Sequence, residues 1–146
     1  SRNTLYEIRY TGYMNYWLVK ADPDTDYSID DLARDGSTEW TGVHNFQAII
    51  NIKLMKPGDL VYVYHSQKEK SIVGLAKVSS EPYENLKDPR KSWAVQLSFV
   101  KKYSKPLHLS SIKAEPAFSE FLLVRNSRLS VMPVPALTQT ALEKLL

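Results

Sequence analysis

The β-rich runs of this chain are short and closely spaced, which limits the folds that it can adopt. From their mostly aromatic or β-branched side chains we read strands at residues 16–19, 60–64, 72–78, 93–100 and 129–132. The helical runs between them are too short to serve as the regular crossovers of a doubly wound parallel sheet. The sequence therefore predicts an α+β fold, a small mixed β-barrel with flanking short helices.

Two helices can be located from their caps. Ser28 and Asp31 have the spacing of a capping box, and Gly36 is placed to end the helix that follows. A second helix is expected after Asn45, where apolar residues begin to recur with helical spacing. We expect Phe46 on the buried face of this second helix.

The last third of the chain carries weaker signals. Short helical turns are expected after residue 109 and over residues 117–122. A final helix is expected within residues 135–146, and its shared apolar face would hold Leu137, Ala141, Leu142 and Leu145.

The composition is that of a soluble globular domain. The chain has 146 residues, 43% of them hydrophobic and 24% charged, which suits one domain of ordinary size. Cysteine is absent; this excludes disulfide scaffolds and Cys-rich zinc sites and fits a reducing compartment. No stretch approaches the roughly 20 apolar residues of a membrane helix, and we see no signal peptide. We therefore expect a cytoplasmic protein that does not cross a membrane.

Residues 1–13 are treated apart from the domain. They carry polar, aromatic and turn residues without a sustained period, and Met14 follows them. Met14 is a candidate native start, which would make the preceding piece an appended strand or a cloning remnant. We therefore place the domain at residues 14–146 and keep the upstream segment out of the site.

Charge is unevenly distributed along the chain. The formal net charge is +3, the acids cluster within residues 22–35, and cations crowd the second half. One interpretation is a basic face that binds a polyanion. The alternative is a solvated surface, with lysines that alternate outward on strands.

The densest run of chemically specific residues is Trp-Thr-Gly-Val-His-Asn-Phe-Gln-Ala at 40–48. It places an indole, two amides and an imidazole where a loop enters a helix, and these groups suit a flat, hydrogen-bonding ligand such as a nucleobase. For Trp40 the alternative is a core tryptophan. For Asn45 the alternative is a helix N-cap, and the two roles can coexist.

Catalytic and metal sites find little support in the residue pattern. His65 and Ser66 are adjacent on a strand, so their side chains point to opposite faces and do not form a nucleophilic pair. The three histidines of the chain show no metal-ligand spacing. Phosphate-binding glycine loops and dinucleotide fingerprints are lacking too. We expect no metal and no cofactor.

Several motifs occur together in the order typical of an EVE domain, and residues 14–146 resemble that family. The motifs lie at residues 16–23, 40–48, 55–59 with 64–66, 73–76 and 128–130. The resemblance implies a PUA-like fold, related to the YTH domains that read methylated adenine, and a role in recognising modified bases in DNA or RNA.

This chain departs from the family pattern within one motif. The family usually has arginine where this chain has His44, tyrosine where it has Phe46, and arginine where it has Ile49. The loss of two cations weakens any phosphate contact near this helix.

The resemblance also implies where the base would bind. The pocket would lie where residues 20–22 meet Trp40 and Thr41, with a further aromatic side chain from Trp93. Our candidate pocket residues are Trp17, Lys20, Ala21, Asp22, Trp40, Thr41, Asn45, Gln47, Ser66 and Trp93. Our candidate backbone contacts are Lys91, Arg125 and Arg128.

For four of these candidates a second reading stays open. Trp17 is flanked by apolar strand residues, which favours the core. For Trp93 the sequence favours a role as a pocket wall and a role in core packing equally. Gln47 either faces the pocket or is solvated. Arg128 either contacts the backbone or pairs with an internal carboxylate.

The leading hypothesis is a binding module without catalytic activity. A rival is a small amidohydrolase acting on modified nucleosides, as in the neighbouring ASCH group, which would need Lys20, Glu39 and Thr41 to converge. A third reading is an accessory subunit whose surface binds another protein.

Overall fold

A computed structural model describes residues 14–146 of the chain. The interpretation of residues 1–13 lies outside these described residues. The strands are β1 Tyr16–Ala21, β2 Ser37–Trp40, β3 Leu60–His65, β4 Ser71–Val78, β5 Tyr83–Asn85, β6 Ser92–His108 and β7 Val131–Val134. The helices are α1 Ile29–Asp35, α2 Phe46–Leu54, α3 Leu109–Lys113, α4 Leu122–Arg125 and α5 Ala136–Glu143, with a 3₁₀ turn at Pro116–Phe118.

The described strands join in one seven-stranded mixed sheet. Its order is β2-β6-β4-β3-β1-β7, and β5 pairs with β6 beside this path. β1 and β3 run parallel in the register Tyr16 to Leu60, whereas the other neighbours are antiparallel. The predicted α+β class is confirmed. None of the described helices has the length and apolar character that a membrane crossing requires.

Strand β6 is much longer than the sequence predicted. It spans 17 residues and pairs with β5, β2 and β4 in turn. The prediction stopped at Val100 because residues 101–106 are mostly polar and lack alternation. The register against β4 shifts between Ile72 and Gly74, and Pro106 falls in this irregular stretch, where a residue without an N–H is tolerated.

Helix α1 begins and ends where its capping residues predicted. The Ser28 hydroxyl accepts the Asp31 N–H at 3.0 Å, and the Asp31 carboxylate accepts the Ser28 N–H at 3.0 Å. Gly36 follows with φ of 79°, a left-handed backbone that favours glycine. The helix therefore passes directly into β2, whose residues shape the candidate site.

Helix α2 has the predicted cap but buries a different face. Asn45 Oδ1 accepts the Ala48 N–H at 3.0 Å, so the N-cap role is confirmed. The buried stripe runs through Ala48, Asn51 and Ile52, and Phe46 is 78% exposed. The core position expected for Phe46 is wrong. Phe46 lies two positions before the buried Ala48, and residues at this spacing point to opposite sides of a helix.

The C-terminal helix also departs from its expected face. Leu142 is fully buried, but Leu137 is 87% exposed. Leu137 does not belong to the core, because it lies in the first turn of α5 on a side that Leu142 does not share.

Candidate functional site

A depression of about 210 Å³ lies between the loop after β1 and the end of β2. Its edge is formed by Tyr27 and Trp40, which meet nearly perpendicular, at 85°, with ring centroids 6.3 Å apart. The residues that line this Tyr27–Trp40 depression are Asp26, Tyr27, Thr38, Glu39, Trp40 and Thr41. Its lining therefore combines an aromatic corner with two acidic residues and two threonines.

Asp22 shapes the loop that carries Tyr27. Its carboxylate accepts the N–H groups of Asp24 at 3.0 Å and Thr25 at 3.4 Å. Its carbonyl accepts the N–H groups of Asp26 and Tyr27 at 3.0 and 3.1 Å. Hydrogen bonds, first from the Thr25 side chain and then from the Asp24 N–H, hold the pKa of Asp22 below its usual range. Asp22 thus positions the loop and does not itself line the depression.

The far end of Tyr27 is anchored on α1. Its hydroxyl donates to Asp35 Oδ2 at 2.7 Å, and Asp35 in turn accepts from the Arg34 guanidinium at 2.9 Å. Burial, and then the bond to Asp35, raise the pKa of Tyr27. The ring is consequently fixed against Trp40 and offers its remaining surface to the depression.

Glu39 is anchored across the sheet. The Tyr83 hydroxyl donates to Glu39, and Gln96 Nε2 donates to the same hydroxyl at 3.1 Å. Burial, followed by the contact with Glu39, raises the pKa of Tyr83. The carboxylate of Glu39 is therefore held by Tyr83 of β5, and Gln96, the register partner of Glu39 on β6, holds Tyr83 in turn.

Two of the predicted pocket residues line this depression. Trp40 does so with only 7% of its surface exposed, which means that it also packs in the core. Thr41 is exposed at the rim. The sequence did not single out Tyr27, whose only signal was an aromatic residue immediately before a capping box.

Three other candidates gather at the ends of β1 and β3 and do not line the depression. Lys20 Nζ donates to the Ser127 carbonyl at 2.9 Å, and burial lowers the pKa of this lysine. The Ala21 carbonyl accepts from the Ser66 N–H at 2.9 Å and from its hydroxyl at 3.2 Å. These contacts hold strand ends together.

Trp17 is a core residue, so its assignment to the pocket needs correction. The side chain is 1% exposed, and its indole N–H donates to Asp59 Oδ2 at 2.9 Å. The same carboxylate receives the backbone N–H groups of Asn15 and Lys56. Trp17 therefore closes the turn before β3 and has no surface on which a base could stack.

Trp93 lies near Trp40 without lining the depression. Val95 pairs with Trp40 across β2 and β6, and Trp93 lies two residues before Val95 on β6. Because every second side chain of a strand points to the same face, both indoles lie on the same face of the sheet. Lys53 Nζ sits 4.7 Å from the centroid of the Trp93 ring, a cation–π contact. This half-buried ring supports α2.

The two amides of the motif also lie outside the depression. Asn45 caps α2, as described above. Gln47 is exposed, and its amide donates to Asn51 Oδ1 at 3.3 Å, which supports the solvated alternative for this side chain.

A contact between distant segments ties the motif to the loop before β6. His44 Nε2 lies 2.6 Å from Asp88 Oδ2. Asp88 also accepts from the Ser92 hydroxyl at 2.6 Å and the Arg90 N–H at 2.8 Å. These bonds, that from Ser92 foremost, lower the pKa of Asp88 to about 2. No sequence signal predicts this pairing, since 44 positions separate its partners.

The predicted backbone cations are scattered. Arg125 pairs with Glu120 at 3.1 Å. Arg128 is exposed and forms no ion pair among residues 14–146, so the internal carboxylate suggested for it is not found there. Lys91 is exposed on the loop that Asp88 organises.

The groups required by the amidohydrolase hypothesis do not converge. Glu39 and Thr41 line the depression, but Lys20 bonds to Ser127 at the end of β1. Within the part of the chain that the structure describes, no cluster of three or more His, Asp or Glu side chains could hold a metal ion.

Comparison with known proteins identifies relatives over most of the chain. Thymocyte nuclear protein 1 of Gallus gallus is 32% identical over 153 residues, covering 82% of this chain and 63% of the relative. The chain thus spans less than two thirds of that protein's length. Among solved structures, a Rhodopseudomonas palustris protein is 35% identical with a TM-score of 0.83, covering 90% of this chain and 92% of its own.

A further structure shows a related protein with a ligand. Human THYN1 protein, solved in complex with DNA containing 5-methylcytosine, is 25% identical with a TM-score of 0.81, covering 90% of this chain and 96% of its own. An ASCH protein of Zymomonas mobilis, at 11% identity and a TM-score of 0.60 over 90% of this chain and 98% of its own, shares the fold alone.

The resemblance read from the motifs is confirmed by the family model. The model described as EVE domain matches residues 15–145, which is nearly the whole of the described chain. This match and the chicken relative lead to one conclusion: the chain belongs to the EVE domain family.

Proposed function

We propose that this chain is a nucleic-acid-binding module that recognises a modified base in the Tyr27–Trp40 depression. One observation carries the proposal: human THYN1 protein, with DNA containing 5-methylcytosine bound, shares its fold over 90% of this chain. DNA that carries 5-methylcytosine is therefore the first ligand to test, and RNA is a second arm of the same test.

The size and walls of the depression support a single base as its occupant. Its volume of about 210 Å³ lies below the roughly 300–1,000 Å³ of pockets for drug-sized ligands. Tyr27 and Trp40 provide aromatic surface at its edge, and stacking on an aromatic side chain contributes about 1–3 kcal/mol per base. A base that is extruded from its strand could insert here.

The rim supports a base with an exocyclic amine. The acidic residues Asp26 and Glu39 are among those that line the depression, and a carboxylate can accept a hydrogen bond from the N4 amine of cytosine. Negative charge at the rim also repels phosphate, so the backbone must bind elsewhere. These features favour a modified cytosine over thymine, which has a carbonyl oxygen at the equivalent position.

Binding without catalysis fits the geometry better than hydrolysis. The lysine that an ASCH-like amidohydrolase would need bonds to Ser127, away from Glu39 and Thr41. A protein partner remains the alternative if nucleic acid is not retained at low salt.

The relatives bear the word nuclear in their names. The cytoplasmic location expected from the sequence stays a prediction.

A titration with labelled oligonucleotides tests the proposal. Strands that differ at one position, with 5-methylcytosine, cytosine or thymine, are titrated by fluorescence anisotropy, and a matched RNA series is run beside them. We expect the 5-methylcytosine strand to bind most tightly. Equal affinity for all three bases would contradict modified-base recognition, and no binding at low salt would contradict nucleic-acid binding altogether.

A pair of variants locates the binding site. Thr41 is exposed and lines the depression, so Thr41→Arg should fill it and abolish the preference for 5-methylcytosine. Thr140 is exposed on α5, and Thr140→Arg adds the same charge without touching the depression. The control variant should keep the preference.

A further inference from the structure

The loop before β6 is held in one conformation by Asp88. Its carboxylate accepts from Ser92 and from the Arg90 N–H within the loop, and it meets His44 at 2.6 Å from the segment after β2. The loop and this segment are thereby fixed to each other. A surface held in this way loses little entropy when a ligand binds.

The same loop presents an excess of positive charge. Residues 86–91 contain Lys87, Arg90 and Lys91, all exposed, and none of them forms an ion pair within the described chain. The one acid of this loop is Asp88, whose carboxylate bonds inward to His44 and Ser92. Three cations are therefore left to face a ligand.

An exposed aromatic ring follows two residues after His44, the residue that contacts this loop. Phe46 is 78% exposed at the first position of α2, shortly after His44. The ring has no role in the core, and burying it against a ligand would remove apolar surface from water. Cations combined with exposed aromatic rings are the usual equipment of single-strand binding surfaces.

Both parts of this surface connect directly to the Tyr27–Trp40 depression. Residues 38–41 line the depression, and the chain continues from them to His44 and Phe46. On the other side, Tyr83 of β5 bonds to the rim residue Glu39, and β5 leads into residues 86–91. The depression, the ring and the cations are thus built from the same two chain segments.

From this arrangement we infer that Phe46, Lys87, Arg90 and Lys91, here named the loop surface, bind the strand that carries the recognised base. The cations contact its phosphates and Phe46 stacks on a neighbouring base. The inference rests on the proposed function and adds to it where the strand runs. Through its contact with Asp88, His44 holds this basic loop against the segment after β2.

A second basic patch provides the matched control. A depression of about 340 Å³ at the turn after β3 and the start of α3 is lined by Lys68, Lys70 and Lys113, among others. Its lining contains no Phe, Tyr or Trp, so it lacks a platform for a base. The triple variants Lys87→Gln/Arg90→Gln/Lys91→Gln and Lys68→Gln/Lys70→Gln/Lys113→Gln remove equal charge from exposed positions.

The experiment measures the affinity for a single-stranded 5-methylcytosine oligonucleotide as a function of salt. On single strands each phosphate contact adds about −0.7 to the slope of log K against log salt. The variant Lys87→Gln/Arg90→Gln/Lys91→Gln, the loop triple, should therefore make this negative slope shallower by about 2. The control triple should leave it nearly unchanged. If the salt slope becomes shallower by the same amount in both triple variants, or by more in the control triple, the inference is overturned.

Phe46 is tested separately, because its contribution does not depend on charge. Phe46→Ala should weaken binding roughly 5- to 150-fold, which corresponds to one lost stacking contact, and Phe46→Tyr should retain it. Leu137→Ala, at another exposed apolar position, should have no effect. One outcome is that the wild type binds 5-methylcytosine selectively while the loop triple and Phe46→Ala keep its affinity and salt dependence. In that case the inference fails and the proposed function stands. If wild type binds no oligonucleotide, both fail.

Discussion

His65 accepts the backbone N–H of Ile29 through Nε2 at 3.0 Å, while its Nδ1 lies 2.8 Å from Glu69 Oε1. Because Nε2 is the acceptor, the proton resides on Nδ1, which donates to Glu69. The ring is buried at the end of β3 and fixes the start of α1. Ile29 follows Tyr27 by two positions, so this bond holds the chain next to one wall of the depression.

The loss of this imidazole should destabilise the fold. His65→Ala would leave the buried Ile29 N–H without its acceptor, which costs about 1–3 kcal/mol, in addition to the cavity. Glu69→Gln keeps an oxygen for the Nδ1 proton and should change the free energy of unfolding by less than about 0.5 kcal/mol. Urea denaturation measures both variants. A stable His65→Ala protein would show that this bond does not hold α1.

Trp17 and Trp93 should respond differently to removal of the indole N–H. Trp17→Phe takes a donor from buried Asp59 and should cost about 1–3 kcal/mol of stability. Trp93→Phe keeps an aromatic ring beneath Lys53 and should cost less. In oligonucleotide titrations at a temperature where both are folded, Trp17→Phe should retain the base preference. If a folded Trp17→Phe protein loses the base preference, Trp17 takes part in base recognition after all.

Acid should weaken the link between His44 and Asp88. The folded protein holds the pKa of Asp88 at about 2, below the ordinary value of 3.8 for an aspartate. A depressed pKa contributes stability that is fully present above the unfolded value and is lost as pH falls from about 4 to about 2. The melting temperature of wild type should therefore fall more steeply over this range than that of Asp88→Asn. Parallel pH profiles for the two proteins would contradict the assignment.

Glu39 should determine the preference for an amine-bearing base. Thymine and 5-methylcytosine share the methyl group but differ at position 4, so a comparison of the two isolates the amine. Glu39→Gln retains an oxygen for Tyr83 but loses the charge, and the discrimination between these bases should narrow by about 1–3 kcal/mol. Tyr83→Phe, which leaves the carboxylate in place without its anchor, should narrow it less. Unchanged discrimination in Glu39→Gln would place the amine elsewhere.

Local features of this fold could be predicted because their signals are contained in a few neighbouring residues. The caps at Ser28 and Asn45 were read correctly since a cap needs only its own helix. Phe46 was misplaced because the buried face of α2 is chosen by what packs against it, as the bond from Asn51 to Val131 shows. Strands β2 and β5 were missed because they are short and mostly polar, and because among the described strands each pairs only with β6.

The candidate site was predicted only in outline. The resemblance implied a pocket where residues 20–22 meet Trp40 and Thr41, whereas the depression beside these two residues is lined by Asp26 and Tyr27 from further along the chain. The contacts that decide this, from Tyr83 to Glu39 and from His44 to Asp88, join residues that are distant in the sequence. Neither pair has a spacing or a motif from which it could be read.

NMR of the tryptophan side chains tests the central claim most directly. The chain has three tryptophans, and each gives one indole N–H signal in a ¹⁵N-labelled sample. During titration with a 5-methylcytosine oligonucleotide, we expect the Trp40 signal to shift progressively to saturation, and the buried, Asp59-bound Trp17 signal to stay in place. Saturation of binding without any change in the Trp40 signal would contradict recognition of the base in the Tyr27–Trp40 depression.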